Sequence, residues 1–188
     1  GTRLIVETEY NHVATDQFAG AITPDIGEFV GYNSGRDSSI TLEFAQNAYR
    51  YGHSTLRETI DVIDPNGGLT SKIMSYALEA AFLKPELYAE LGPDAITLGQ
   101  TRQQMNEIDE FITPALNQGL LGMPLDLAAI NIARGRDIGL PTFNEMRVAL
   151  DLGAYTSWSD FGNNMQHSES LVNFIAAYAL DGNVDLAQ

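Results

Sequence analysis

The 188 residues contain no cysteine. That excludes disulfides, thiolate-bound zinc, iron–sulfur ligation and thiol nucleophiles within the chain. Bases are scarce, 10 against 25 acids, for a formal net charge of −15. A surface this acidic repels phosphate backbones, so no nucleic-acid partner is expected. No apolar run approaches the roughly 20 residues of a membrane span, so none is expected. The opening Gly1-Thr2-Arg3-Leu4-Ile5-Val6-Glu7 lacks the basic start and apolar centre of a signal peptide. Alternating strand patterns and internal repeats are also missing. So are a Gly-x-Ser-x-Gly elbow and a His-Glu-x-x-His pair, which leaves a hydrolase or metal-dependent hydrolytic enzyme little support. Asp61-Val-Ile-Asp64-Pro-Asn66-Gly67 lacks the full ligand spacing of a calcium loop.

What is present is globular. Hydrophobic residues make up 44% of the chain, and the length suits one domain with a sizeable core. Apolar residues recur at helical spacing, which predicts an all-α fold. Helices are expected over residues 2 to about 18, from a cap at Ser38 or Ser39 through Ile60, and over 69–82. A further pattern over 101–121 is interrupted by Pro114. Asp126 to about Ile138, Thr142 to Leu150 and Ser168 to about Leu180 complete the set. Pro24, Gly27, the Asp64–Gly68 turn, Pro85, Gly92-Pro93 and Gly139-Leu140-Pro141 punctuate it, and Gly182 is the expected last stop. Thr142 with Glu145 reads as a capping box. The abrupt starting helix, and Val184-Asp185-Leu186 near the end, suggest a domain incomplete at both ends.

Of three histidines, His53 lies on the apolar stripe Ala45, Ala48, Tyr49, Gly52, His53, Leu56 and Ile60. A histidine so placed is ordinarily a satisfied core residue. Its neighbours argue for more: Gly52 would let a flat macrocycle approach the helix closely, and Arg50 could reach an anionic group over that face. In a second stretch, Leu125 to Arg147, Asn131 falls on the apolar side of its helix beside Ile130 and Arg134, and a buried amide needs partners. A ligating imidazole donates its second N–H to an acceptor, which an asparagine carbonyl supplies. Surface ion pairs remain an open reading for Arg136 and Asp137. His12 is expected to be a packed helix histidine, and His167 to be exposed in an Asn-rich loop.

The run Phe44-Ala-Gln-Asn-Ala-Tyr-Arg-Tyr-Gly-His53-Ser-Thr-Leu56 resembles the proximal-histidine helix of the animal-type haem peroxidases (peroxidase–cyclooxygenase superfamily). The run from Leu125 through Asn131-Ile-Ala-Arg134-Gly-Arg136-Asp137 to Arg147 is similar to that family's second signature. Weaker resemblance covers most of the chain, from the opening helix to the Ala179–Leu186 region. Ile138 stands where the family usually has a histidine.

The resemblance implies a mainly helical haem peroxidase domain, of which residues 1–188 form the proximal-side portion. It implies haem b, covalently linked in some members, and an enzyme that oxidises a halide or organic donor with hydrogen peroxide. His53 would be the axial ligand to the iron, Asn131 the acceptor of its second N–H, and Arg134 with Arg50 the partners of the haem propionates. The family's distal histidine, catalytic arginine, calcium site and ester-linking acids match nothing here, so no calcium site is expected in this chain and the missing distal portion is an expected partner. A proximal half alone is expected to expose the face that packs on the distal helices, and so to aggregate or be partly disordered. A bacterial, secreted protein responding to oxidative stress is the expected setting. The alternative is a non-catalytic helical haem-binding or interaction module.

Overall fold

The computed structural model describes residues 1–23, 31, 33–37, 39–68 and 71–179. They fall into two compact units, Gly1–Ser39 and Ile40–Gln188. The expected breakers Pro24 and Gly27, the cap Ser38, Leu69, and the region from Leu180 through Gly182 to Leu186 lie outside the described residues.

In the first unit, α1 (Thr2–His12) runs through a wider π-helical stretch, Val13–Ala19, into α2 (Gly20–Ile22). The helical run is therefore longer than the pattern predicts. His12 is not packed. Its ring is exposed, and Nδ1 meets Asp16 Oδ2 at 2.6 Å, because a carboxylate one turn on faces the same side.

The second unit departs from the expected long helix through His53. α3 (Leu42–Gln46) starts at Thr41, whose hydroxyl accepts the Phe44 N–H at 3.3 Å. Ser39 does not cap it; its N–H is held by Asp37. Asn47 leaves helical geometry, the chain tightens into a 3-10 stretch at Ala48–Tyr51, and α4 (Gly52–Thr55) follows as one short turn. The hydroxyls of Ser54 and Thr55 bond back to the carbonyls of Tyr51 and Gly52, each at 2.8 Å. Backbone-seeking hydroxyls of this kind compete with helix continuation.

Past Leu56 the chain extends into β1 (Thr59–Ile63), which pairs antiparallel with β2 (Ile73–Ala77) in the register Thr59 to Ala77 and Ile63 to Ile73. This corrects both the absence of strands and the helix expected over 69–82. Thr59, Ile60, Val62 and Ile63 are β-branched, and their χ1 stiffness favours the pleated backbone. Of that expected helix, the described part that is helical is α5 (Leu78–Ala81). Leu78 and Ala81 are its inward residues, whereas Ile73, Ala77 and Ala80 are exposed.

α6 (Pro85–Leu91) and α7 (Pro93–Gln100) each open with proline, whose missing N–H costs nothing at a helix start. α7 crosses β1 so closely that a Cβ on Gly99 would collide with the Asp61 carbonyl. Val62, Ile63, Leu78, Ala81 and Ala95 form the buried centre here.

Residues 103–113 form an irregular strap where helix was expected, and Pro114 begins α8 (Pro114–Asn117) instead of interrupting a helix. α9 (Leu127–Asp137) is capped by Asp126 and stops as expected at Gly139, where φ is +71°. There Gly139 donates to the Arg136 carbonyl and Leu140 to the Gly135 carbonyl, the paired bonds of a Schellman end. α10 (Phe143–Ala149) has the full Thr142–Glu145 capping box. An unexpected α11 (Trp158–Gly162) precedes α12 (Ser168–Tyr178). The fold class stays all-α, with one small hairpin among the described residues.

Candidate functional site

α9 packs against α3 and brings its partly buried face to the turn that carries His53. Asn131 Nδ2 lies 2.9 Å from His53 Nδ1 across 78 residues of chain. With the amide so turned, Nδ1 accepts and the ring proton sits on Nε2. Asn131 Oδ1 is buried without a partner. An orphaned buried carbonyl costs about 1–3 kcal/mol. Turning the amide over moves that cost to Nδ2, but it lets Oδ1 accept from Nδ1–H and leaves the Nε2 lone pair free to coordinate.

His53 is half-buried, and burial pushes its imidazole below the ordinary value, with the Arg50 guanidinium adding to the effect. The ring is therefore neutral at pH 7, the state a metal requires of it. A Cβ on Gly52 would meet nothing within 4 Å, so the space beside the ligand turn is left unfilled by the chain.

The two expected anion partners differ. Arg134 sits in the last turn of α9, exposed, with no hydrogen bond or ion pair among the described residues. Its charge is available. Arg50 is partly committed: its Nε donates to the Ala45 carbonyl at 3.2 Å. Arg136 is exposed, and it forms no ion pair with Asp137.

Sequence reasoning missed Asn106. From the strap, its backbone N–H donates to the Thr55 carbonyl at 3.0 Å and its side-chain amide to the Leu56 carbonyl at 2.7 Å. Those are the carbonyls a four-residue helix leaves open, so Asn106 seats the turn that presents His53. Its neighbour Gln103 holds the edge of β1, accepting from the Asp61 N–H at 3.2 Å and donating to the Thr59 carbonyl at 2.7 Å. Polar residues in an irregular stretch carry no periodic signal. His167 also differs from expectation: it is half-buried, with Nε2 at 3.1 Å from Asp109 Oδ2 and its ring against the edge of Phe111. Asp109 holds its imidazole above the ordinary value.

The residues present fit a haem: a neutral imidazole, an amide able to accept its second N–H, open space at Gly52 and an unpaired guanidinium. Comparison with known proteins points the same way. The family model described as animal haem peroxidase matches residues 1–188. The Caenorhabditis elegans protein "Peroxidasin homolog pxn-2" is 33% identical over 168 residues, 86% of this chain and 13% of that protein. The human "Peroxidasin homolog" is 29% identical, over 98% of this chain and 13% of its own length. The solved structure of peroxidase A from Dictyostelium discoideum superposes with a TM-score of 0.77 at 22% identity, covering 94% of this chain and 34% of that one, a likeness of fold. The chain thus spans 13% of the length of these curated relatives. Their origins lend no support to a bacterial source.

Proposed function

The chain belongs to the animal haem peroxidase family, and from that premise we propose that it forms the proximal wall of the haem pocket in a peroxidase that oxidises a halide or organic donor with hydrogen peroxide. The observation that carries this is the His53–Asn131 contact at 2.9 Å. It is an amide in place to hold a ligating imidazole.

Haem b, when bound, supplies the redox chemistry with peroxide. The chain's own part is to hold His53 with Nε2 toward the iron. Turned so that Oδ1 faces the ring, Asn131 would accept a hydrogen bond from Nδ1–H, fixing the tautomer and the ring plane and raising the basicity of Nε2. Arg134 supplies charge for the propionates, and Arg50 assists while keeping His53 unprotonated. The proton-moving side of the pocket, with its histidine and arginine, belongs to the remainder of the domain, as do any ester link to the haem and the family's calcium. Location outside the cell is part of the same proposal. It accords with the net charge of −15, which favours solubility.

An optical haem titration of the chain beside His53→Ala tests the reading. The parent should give a Soret band typical of imidazole-ligated iron, lost or shifted in the variant. Identical spectra would remove His53 from the iron and sink the proposal. Imidazole-ligated haem that shows no turnover with peroxide, even within a longer protein carrying the whole domain, would favour the non-catalytic haem-binding module.

A further inference from the structure

Away from His53, three donor side chains converge where the strap meets the start of α12. Glu107 and Asp109 come from the strap and His167 from the residue before the helix. One ligand atom from each lies within 4.8 Å of the other two. Glu107 is exposed; Asp109 and His167 are half-buried.

The donor set is mixed. One imidazole nitrogen with two carboxylate oxygens suits borderline first-row divalent cations, zinc in particular, better than it suits calcium, which takes six to eight oxygens. The spacing agrees. An ion with bonds of about 2.0–2.1 Å in tetrahedral geometry sets its donors about 3.3 Å apart. Asp109 Oδ2 and His167 Nε2 stand 3.1 Å apart as a hydrogen bond, whose proton a bound ion would displace. Glu107 has no hydrogen bond among the described residues and is free to swing in.

Two further observations bear on the arrangement. Glu107 and Asp109 also line a cavity of about 460 Å³, beside Ser54, Arg57, Asn106 and Thr113. The position left by three protein ligands would open onto it. Glu110 stays out of the cluster: its oxygens accept from the Gln166 N–H at 2.7 Å and the Ser170 hydroxyl at 3.2 Å. Those bonds hold the strap to α12, so Asp109 and His167 meet without help from an ion.

We propose that Glu107, Asp109 and His167 form a three-ligand site for a divalent cation of the zinc class, open to this cavity. Bound there, the ion ties α12 to the strap. Because Asn106 on that strap holds the Thr55 and Leu56 carbonyls, the ion stiffens the wall behind the His53 turn. The site shares no residue with the proposed haem wall, so the two readings stand or fall separately.

Cobalt(II) titration of the metal-free chain, followed by its visible d–d absorption and by calorimetric displacement with zinc, tests the site. One equivalent should bind and zinc should displace it. Glu107→Gln and His167→Gln should each weaken binding at least about tenfold, since even indirect partners of a metal are worth that much. His12→Gln, which removes the exposed pair with Asp16, should leave binding unchanged. Glu107→Gln is the decisive variant, because that side chain supports nothing else and circular dichroism should not move. No binding at about 1 mM metal, equal affinity in Glu107→Gln, or loss only with His167→Gln would each overturn the proposal.

Discussion

At the residue scale, the proposed site turns on His53 and Asn131, which meet at 2.9 Å. Replacing Asn131 by alanine removes the acceptor for Nδ1–H, and haem affinity should fall about 10–100-fold, measured by the same titration that tests His53. Loss of the carboxamide's packing alone would not also alter the reduction potential of a bound haem, so potentiometry on Asn131→Ala should show a shift as well. Both residues were legible in the sequence, His53 from its stripe and Asn131 as an amide on an apolar face. The turn of the amide was not, because two near-isosteric ends can face either way. Glu145 supplies the acid-side prediction. Its hydrogen bonds from the Thr142 backbone N–H and hydroxyl hold its carboxyl below the usual range. A depressed carboxylate contributes stability above its unfolded value and loses it as pH falls through the folded one. Thermal melts from pH 7 to roughly pH 3 should therefore fall less steeply for Glu145→Gln than for the parent at the acid end.

At the scale of elements, the close crossing of α7 over β1 is the sharpest constraint. A methyl at Gly99 has nowhere to go, since the obstacle is the Asp61 backbone and not a side chain that can rotate. Gly99→Ala should destabilise by about 1–3 kcal/mol or more, read as a drop in the urea midpoint at constant slope. A helix-propensity argument predicts the opposite sign, because alanine is the better helix former. The hairpin shows why pattern alone misled. Ile73, Tyr76, Ala77 and Ala80 fit a helical stripe, but Ile73 to Ala77 pair with β1, whose β-branched residues resist the helix. The pairing is a long-range event that no window of β2 records. By contrast α9 and α10 were readable, because caps and stops are written in adjacent residues such as Asp126, Gly139 and the Thr142–Glu145 pair, and α12 was readable from its apolar spacing alone.

For the molecule as a whole, family membership is plain while much apolar surface in the second unit is uncovered. Phe143 is 57% exposed and Leu150 61%, with Val148 and Val172 alike. Scattered exposed apolar side chains are ordinary, but this many large ones on α10 and α12 mark faces that another surface fits. The 188-residue chain should therefore bind an anilinonaphthalene dye with enhanced fluorescence, and a longer protein carrying the whole domain should not. Quiet dye in both would mean that these faces cover one another or a second copy. The all-α class was legible from periodicity. What covers these faces was not, because periodicity records single helices and not what packs on them.

The strap at 103–113 has a consequence of a mechanical kind. It carries no regular structure, so it is held by the ties along it: Gln103 on the rim of β1 and Asn106 on the carbonyls behind His53. It acts as a tie rod between hairpin and imidazole. If β1 slips or frays, the rod slackens and the ligand turn loosens with it, though nothing has touched the ring. If His53 holds a haem iron as proposed, the colour of that haem would become a gauge of the hairpin, and damage to this two-stranded sheet would be read there first.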